Sequence, residues 1–377
     1  MHRLRCVRLD SKWSRWSARP TSHLETKLRM KPHFIVTLVP GDGIGPEIAS
    51  ALVKVFQAAS VPITWDPYNS PTDDRSTLKA IVESARKHRL MIKGPLATPI
   101  AEGPRSINVT LRSALGLYAN VRPCKSFAGV ESRWDGVELL IVRENTEGAY
   151  TGIEHDRGQG KVEAVKIVTA AASMRIAEYA FRAASHRPRR TLAVAHKANI
   201  MKKADGLFLQ CCREVARKYP AVSYREILVD NCCLQLVLDP QQFDVLLFQN
   251  LYGDIVSDLC AGLIGGLGLA PSANIGAECA MFEAVHGSAP DIAGQGIANP
   301  AALILSGVLL LRHVNLHREA NRIEQAVRSV IGHREATTGD LGGNGTTTSF
   351  TNAVIEALHE PAKESLLPSL AVSESPW

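Results

Sequence analysis

The sequence predicts an α/β fold, because short apolar runs of strand length alternate along the chain with longer amphipathic segments. A chain of 377 residues is long enough for roughly two domains. Its 45% hydrophobic and 21% charged residues are typical of a globular protein with a large core. The strand-like runs are Leu90–Lys93, Leu139–Val142, Thr191–Val194 and Val245–Phe248, and amphipathic helices are predicted at Ala171–Ala184 and Asp205–Lys218.

The first predicted element is a strand over His33–Val39, followed by a glycine-rich turn over Pro40–Glu47 and a helix over Ile48–Ala58. The turn has the spacing GxGxxP, which departs from the GxGxxG of dinucleotide-binding folds, and it carries its own acid. Glycines allow two backbones to approach closely. Packing of strand against helix is therefore at least as good an interpretation of this turn as phosphate binding.

The net charge of +6 is concentrated at the N-terminus. Residues 1–31 contain nine Lys/Arg and two acidic residues, a net charge of +7, which leaves −1 for the remainder. The near-neutral body argues against a nucleic-acid-binding surface as the main function. An arginine-rich, acid-poor segment without an apolar core predicts a mitochondrial transit peptide over residues 1–31, and the alternative is a basic tail of no consequence.

Cysteine spacing and the lengths of apolar runs argue against two other classes of protein. None of the eight cysteines forms a CxxC pair, so we expect reduced, mostly buried thiols rather than a zinc site or a disulfide framework. The longest apolar run, Ala301–Leu311, is far shorter than the ~20 residues of a membrane span. The proline- and serine-containing tail after Leu358 is predicted to be disordered.

Two acidic residues, Asp254 and Asp258, follow the apolar run Val245–Phe248 and are four positions apart. On the helix predicted here, this spacing places both carboxylates on one face. Such a pair is repulsive unless a positive charge lies between its members, and hard divalent cations bind carboxylate oxygens. The alternative is that Asp254 caps the helix and Asp258 is solvated. Asp230, at the end of another extended run, would be a third carboxylate.

Three arginines, Arg112, Arg122 and Arg143, lie in or beside apolar segments. Burying a guanidinium is costly unless it has an anionic partner, and its planar group suits carboxylates. Together they predict a polycarboxylate substrate, with a structural ion pair as the alternative for each. Arg190 lies in a basic loop and is interpreted as solvated.

Several polar side chains are candidates for proton transfer or nucleotide binding. Tyr150, in a glycine-flanked loop, could donate a proton, and Lys197, after a strand, could act as an acid-base group. Taken alone, the tyrosine is more often a packing residue and the lysine a surface residue. The small-residue loop His286–Gly294 could fit around a nucleotide, where Asp291 could accept hydrogen bonds from a ribose 2′-hydroxyl.

The motifs between Phe34 and Leu358 together resemble the β-decarboxylating dehydrogenases, specifically the mitochondrial NAD-dependent isocitrate dehydrogenase subunits. Each motif is weak alone, but their order and spacing make the resemblance specific. They are GDGIGPE, GPLATP, the Ser-x-Asn-x-x-x-Arg segment, YANVRP, RENTEGAYTG, HKANIM, DGLFLQCCREVA, NLYGDIVSD, HGSAPDIAG and ANPAALILS.

The resemblance implies an α/β fold with two domains around a mixed sheet, which is not a Rossmann fold. The large, cofactor-side domain would combine residues 32–116 and 266–377. The small domain, residues 117–265, would contribute a clasp to a dimer. The implied protein is an oligomer of the mitochondrial matrix, formed from identical or related subunits that share each active site.

The resemblance also implies roles for the site residues. Arg112, Arg122 and Arg143 would bind the carboxylates of isocitrate, and Ser106 and Asn108 its γ-carboxylate and the nicotinamide side. Asp254 and Asp258 would hold Mg²⁺ or Mn²⁺ together with Asp230 from the partner. Lys197, also from the partner, would assist removal of the hydroxyl proton, and Tyr150 would deliver the final proton. The implied NAD-binding residues are Thr98, His286, Gly287, Ser288, Ala289, Asp291 and Asn299.

The implied reaction is oxidative decarboxylation of isocitrate to 2-oxoglutarate and CO₂ with reduction of NAD, a step of the tricarboxylic acid cycle. Polar Ser106 and Asn108 favour isocitrate over isopropylmalate, whose isopropyl group requires an apolar pocket. Two alternatives stay open. One is a non-catalytic regulatory subunit, which the Asp230–Gln235 and Leu209–Arg213 segments resemble, and the other is a dehydrogenase of isopropylmalate or homoisocitrate.

Overall fold

The computed structural model describes residues 33–71, 74–98, 106–334 and 336–359. The predicted transit peptide and, apart from His359, the predicted C-terminal tail lie outside these ranges. The strands are β1 (Phe34–Val39), β2 (Ile63–Pro67), β3 (Leu90–Lys93), β4 (Leu117–Lys125), β5 (Glu138–Glu144), β6 (Gly148–Asp156), β7 (Val162–Ile167), β8 (Thr191–His196), β9 (Ser223–Leu228), β10 (Val245–Phe248), β11 (Pro271–Gly276) and β12 (Ala280–Ala284). The α-helices are α1 (Gly45–Ala58), α2 (Arg75–His88), α3 (Ile107–Ala114), α4 (Ala170–Ser185), α5 (Ala204–Ala216), α6 (Val229–Leu238), α7 (Asn250–Leu263), α8 (Ala301–His313), α9 (His317–His333) and α10 (Thr347–His359).

Ten strands form one sheet in the order β2-β1-β3-β12-β11-β4-β5-β10-β8-β9. Strands β11 and β4 run antiparallel to each other and to their outer neighbours β12 and β5, whereas all other neighbours are parallel. This mixed sheet confirms the predicted fold class, since a Rossmann sheet is parallel around its switch point. Strands β6 and β7 form a separate antiparallel hairpin.

The predicted division into domains has a simple relation to the sheet order. Residues 32–116 and 266–377 would supply the five strands from β2 to β11, and residues 117–265 would supply the five from β4 to β9. The boundary would then fall between β11 and β4. This division, with the β6–β7 hairpin as the clasp, stays a prediction.

Local patterns explain most of the elements. The apolar runs Leu90–Lys93 and Val245–Phe248 form β3 and β10 with the predicted bounds, and every residue of both strands is buried. The long apolar run Ala301–Leu311 is a core helix, buried on all sides within α8. In the described ranges, no helix is both long enough and apolar enough to cross a membrane. All seven described cysteines are free and six of them are buried, as expected.

The glycine-rich turn before α1 packs against two other loops. A Cβ atom on Gly43 would lie 1.9 Å from the carbonyl oxygen of Ser288, and one on Gly41 would lie 2.2 Å from that of Pro95. Both glycines have positive φ angles. The Ile44 N–H also donates to the Ser288 carbonyl at 2.9 Å. Close packing therefore accounts for this motif, and it brings α1 beside the His286–Gly294 loop.

At two site residues, the observed bounds of the strand or helix differ from the predicted ones. Arg143 is inside β5 rather than at its end, and its side chain is fully buried because Asn250 and Asp254 satisfy it. Strand β9 ends at Leu228 and α6 begins at Val229, so Asp230 lies in the first turn of a helix. An acidic residue is favourable there because it faces the positive end of the helix dipole.

Candidate active site

Helix α7 presents Asp254 and Asp258 on one face, as their spacing predicts. The helix begins at Asn250 after Gln249, so Asp254 lies in its second turn and the capping interpretation is wrong. The Asp254 side chain is about one-third exposed, at 36%, and that of Asp258 is half exposed, at 52%. Both carboxylates are therefore accessible from the site.

Arg143 is the most deeply buried charge of the site. Its Nη1 donates to Asp254 Oδ1, while Nε and Nη2 donate to Asn250 Oδ1 at 3.0 and 2.7 Å. Burial lowers the pKa of the Arg143 guanidinium to about 10, against the opposing effect of Asp254, so the group stays charged at neutral pH. Gly253 makes room for it, since a Cβ atom there would lie 2.6 Å from Arg143 Cγ.

Arg122 connects the two carboxylates of α7. Its Nη1 donates to Asp258 Oδ1 at 2.8 Å and to Ser257 Oγ at 2.6 Å, and its Nη2 lies 3.6 Å from Asp254 Oδ1. Burial alone would raise the pKa of Asp254, but Arg143, Tyr150 and Arg122 outweigh it and hold that pKa below its usual value. Asp254 is therefore a carboxylate that a cation or its water can contact at neutral pH.

Tyr150, in β6, donates its hydroxyl hydrogen to Asp254 Oδ2. Burial, followed by the hydrogen bond to Asp254, raises the pKa of the Tyr150 phenol. The phenol consequently keeps its proton at neutral pH and holds it beside the two arginines. This is the state that a proton donor requires.

Arg112 lies on α3 and pairs with a carboxylate that sequence reasoning missed. Its Nη2 donates to Glu283 Oε1 at 3.3 Å, and Lys93 Nζ lies 2.5 Å from Glu283 Oε2. Burial alone would raise the pKa of Glu283, but the charges of Lys93 and Arg112 outweigh it and hold the pKa well below its usual range. Asn274 donates a further hydrogen bond to Glu283 Oε1 at 2.7 Å.

The other predicted residues of α3 adjoin a polar edge of the site. Thr98 Oγ1 lies 3.1 Å from Ser106 Oγ, just before the helix. Asn108 precedes Arg112 by four residues and so shares its face. The Asn108 Oδ1 atom is buried and has no partner within the described residues. An unpaired buried acceptor indicates a ligand or water with a hydrogen to donate.

Lys197 and Asp230 pair with each other, apart from the groups of α7. Lys197 Nζ donates to Asp230 Oδ1 at 2.7 Å, and the Asp230 side chain is 63% exposed. Within the described part of one chain, no three His, Cys, Asp or Glu side chains gather into a metal site. The donors nevertheless fit Mg²⁺ or Mn²⁺, because Asp254 and Asp258 offer accessible carboxylate oxygens on one helix face.

Some of the predicted nucleotide-binding residues are exposed, and others make contacts within the chain. His286 Nδ1 contacts the Gly287 carbonyl at 3.0 Å, its Nε2 is buried without a described partner, and burial lowers its pKa. Gly287 and Asp291 are exposed, Ser288 is half-buried and Ala289 has a positive φ. Asn299 is the exception, because it donates to Asp340 Oδ2 and accepts the Ala301 N–H, both at 2.9 Å. Its visible role is structural.

Sequence reasoning missed the buried polar layer under the site. Asn120 donates to Asn274 Oδ1 at 3.0 Å and accepts from Arg122 Nε at the same distance. Lys93 ends a buried strand, and a charged residue beside an apolar run is the same pattern that predicts partners for the arginines. Glu283 lies in the apolar run Ala280–Ala284, but its partners are distant in sequence and could not be identified from that run.

A site that combines a protonated tyrosine, arginines and a carboxylate pair on one helix face suits an enzyme that acts on a multiply charged anion with a divalent cation. The family model described as isocitrate/isopropylmalate dehydrogenase matches residues 35–357. The chain belongs to this family.

Three comparisons place the chain within the family. Catalytic subunit 5 of the mitochondrial NAD isocitrate dehydrogenase of Arabidopsis thaliana is 55% identical over 328 residues, which are 85% of this chain and 88% of that protein. A chloroplastic 3-isopropylmalate dehydrogenase of Solanum tuberosum is 56% identical over 301 residues, 78% of this chain and 84% of that protein. The crystal structure of isocitrate dehydrogenase from Methylococcus capsulatus has a TM-score of 0.82 and 47% identity, covering 87% of this chain and 100% of that chain.

Proposed function

We propose that this protein catalyses the oxidative decarboxylation of isocitrate to 2-oxoglutarate and CO₂ with NAD as oxidant, in the tricarboxylic acid cycle. The observation that carries the proposal is the joint contact of Arg122 with Asp254 and Asp258, beside buried Arg143 and the protonated Tyr150. This arrangement offers donors for substrate carboxylates, oxygen ligands for a cation and a proton source at one place.

The arginines bind and orient the substrate in this proposal. Arg122 and Arg143 are fixed by Asn120, Ser257 and Asn250, so they reach the substrate without losing further side-chain freedom. Arg112 retains its pairing with Glu283 and contributes its remaining N–H groups. A guanidinium that is held by neutral partners can exchange a carboxylate of the protein for one of the substrate.

Two groups move protons. The partner subunit's Lys197 assists removal of the substrate hydroxyl proton, and Tyr150 delivers a proton from its Oη after CO₂ leaves. When bound, NAD accepts a hydride and the divalent cation supplies positive charge beside the substrate oxygens. Asp254 and Asp258 of one chain, with Asp230 of the partner subunit, would hold that cation.

An exposed apolar surface supports the shared site. It lies on and around helices α6 and α7, which pack against each other, next to Lys197 and Asp230. Its members, all at least 40% exposed, are Ile200, Leu234, Leu238, Leu251 and Ile255. Contiguous exposed apolar side chains mark a surface for another protein. The protein assembles with itself or with related subunits, and we place the assembly in the mitochondrial matrix.

Isopropylmalate is the second candidate substrate, because the potato relative is 56% identical, although over a smaller share of this chain than the plant isocitrate enzyme. The polar Thr98–Ser106 contact and the unpaired Asn108 Oδ1 favour a polar group at this position. An isopropyl group would leave Asn108 Oδ1 buried without a partner, which costs binding energy. This cost in binding energy is smaller for homoisocitrate, because homoisocitrate carries a carboxylate where isopropylmalate carries the isopropyl group.

The test compares substrates on the purified chain with NAD and Mn²⁺. Isocitrate should give NADH, whereas 3-isopropylmalate and homoisocitrate should give much less. If the chain is inactive alone, it should be co-expressed with a related subunit that carries Asn in place of the aspartate equivalent to Asp254, and activity of that assembly would identify this chain as the catalytic subunit. A chain that stays inactive with isocitrate in every assembly would refute the proposal and support the regulatory alternative.

A further inference from the structure

A buried ion pair outside the predicted catalytic groups joins three segments of the chain. Lys166, in β7, donates to Asp205 Oδ1 at 2.5 Å. Asp205, at the start of α5, accepts the main-chain N–H of Lys197 through Oδ2 at 2.7 Å. Lys166 also donates to Gln249 Oε1, just before α7, and its Nζ lies 4.6 Å from the centroid of the Tyr252 ring.

The carboxylate of Asp205 cannot move away from these partners at little cost. Its side chain is fully buried, and that of Lys166 is only 21% exposed. Removing one partner of a buried ion pair leaves an uncompensated charge and is strongly destabilising. The pair therefore holds the main chain at Lys197, from which the turn to Met201 begins through hydrogen bonds to the Lys197 carbonyl.

The contact with Gln249 extends this restraint to the helix that carries the carboxylate pair. The Gln249 carbonyl accepts the Gly253 N–H at 2.8 Å, in the first turn of α7. The next residue, Asn250, holds Arg143 with Oδ1 and donates to the Glu147 carbonyl at 2.9 Å. Lys166 thus contacts Asp205, which binds the Lys197 main chain, and Gln249, which directly precedes the asparagine that holds Arg143.

We propose that Lys166 and Asp205 are positioning residues that fix the Lys197 main chain relative to the first turn of α7. This inference rests on the proposed function, in which Lys197 assists proton removal. Because Lys197 would serve the partner's site while α7 serves its own, the ion pair is also a rigid connection between the two active sites of a dimer.

The test uses three variants in the active oligomer: Lys166→Met, Lys166→Arg and Lys161→Met. Lys166→Met should lower kcat roughly 10- to 100-fold through misplacement of Lys197, with the KM for isocitrate within about twofold of the wild type. Lys166→Arg should recover most of the loss. Lys161→Met, in the same hairpin, removes only an exposed contact with Glu163 and should change neither constant.

Amide hydrogen exchange at Lys197, measured without substrate, separates this proposal from the proposed function. Exchange should accelerate in Lys166→Met and return towards the wild-type rate in Lys166→Arg. If the wild type makes no NADH from isocitrate, the proposed function fails, but the exchange rates still test the restraint. If Lys166→Met does not fold, the double variant Lys166→Met with Asp205→Asn, which leaves no unpaired charge, gives the same comparison. Unchanged kcat and unchanged exchange in a folded variant would overturn the proposal.

Discussion

Arg143 and Glu283, beside α7 and α3, are buried among several partners within one chain, whereas Asp230 and Asp291 are exposed and Lys197 is 27% exposed. Arg143 has no exposed side-chain surface and Glu283 has 7%, but Asp230 has 63%. Buried charges need internal partners, and each of the two has at least two here. Among the described residues, the side chains of Lys197 and Asp230 pair only with each other, and the side chain of Asp291 is exposed, which is the state expected of groups that act with another subunit or a cofactor.

This difference separates two kinds of effect. Substitutions among the enclosed charges should alter stability, activity or both, because they leave a partner unpaired. Substitutions among the exposed charges should alter activity or specificity while the fold stays intact.

Asp254→Asn should have the largest effect, because Asp254 contacts Arg143, Arg122 and Tyr150 and is a proposed cation ligand. We expect kcat to fall by roughly 100-fold or more, as for loss of a group that stabilises transition-state charge, and the Mn²⁺ requirement to rise. NADH formation across a Mn²⁺ titration measures both. A titration that matches the wild type would exclude Asp254 as a ligand.

Glu283→Gln should destabilise the fold by about 3 kcal/mol or more, because Lys93 and Arg112 would lose their buried partner. The folded-state pKa of Glu283 is below its unfolded value. Its contribution is therefore fully present above about pH 4.3 and is lost as the pH falls towards the folded pKa. The stability difference between wild type and variant should be constant from about pH 7 to 5 and shrink below about pH 4.

Urea unfolding at several pH values measures this difference. Asp291→Asn, which neutralises an exposed carboxylate, is the control and should unfold like the wild type at each pH. A difference between Glu283→Gln and the wild type that grows on acidification would contradict the assignment of Glu283 as an ionised, paired group.

Complementation between two inactive chains tests whether Lys197 acts in the partner's site. Asp254→Asn damages the α7 half of a site, and Lys197→Met damages the other half. In a symmetric dimer, mixed assemblies would contain one intact site, so co-expression should restore roughly a quarter of the wild-type activity. Each variant alone should be nearly inactive.

The control for complementation combines Asp254→Asn with Asp258→Asn. Both substitutions damage the α7 half, so no mixed assembly contains an intact site. No recovery with Lys197→Met would show that each chain uses its own lysine, whereas recovery in the control would show that Asp254 and Asp258 do not act in the same site.

The comparison of enclosed and exposed charges also explains which features the sequence could predict. Strands β3 and β10 and the shared face of Asp254 and Asp258 depend on neighbouring residues, and their predictions are confirmed. Glu283 meets Arg112 across 171 positions, and Asp205 meets Lys166 across 39. Contacts of this kind depend on the order of strands in the sheet and leave no local pattern.

Two further differences between prediction and structure concern Asp230 and Asn299. The sequence pattern predicts an extended run up to Asp230, but helix α6 already begins at Val229. Asp230 is favourable in the first turn of this helix because its carboxylate faces the positive end of the helix dipole. Asn299 lies in a motif of the family, yet its side chain accepts the N–H of Ala301 at the start of α8 and donates to Asp340. A motif identifies residues that occur together and does not separate those that hold a ligand from those that hold the loop.

Asp291→Lys should have the smallest effect and should leave the fold unchanged. Asp291 is exposed, and the described contact of this residue is made by its main-chain carbonyl, which accepts from Gln295 Nε2 at 2.8 Å. A carboxylate beside the ribose accepts from the 2′-hydroxyl of NAD and repels the 2′-phosphate of NADP. Replacing it with an ammonium group should raise the ratio of kcat/KM for NADP to that for NAD by about tenfold, the value of one charged hydrogen bond. Asp135→Lys, the same charge change at an exposed position between β4 and β5, should leave the ratio unchanged. An unaltered ratio in Asp291→Lys would place Asp291 away from the 2′ position and remove it from the cofactor site.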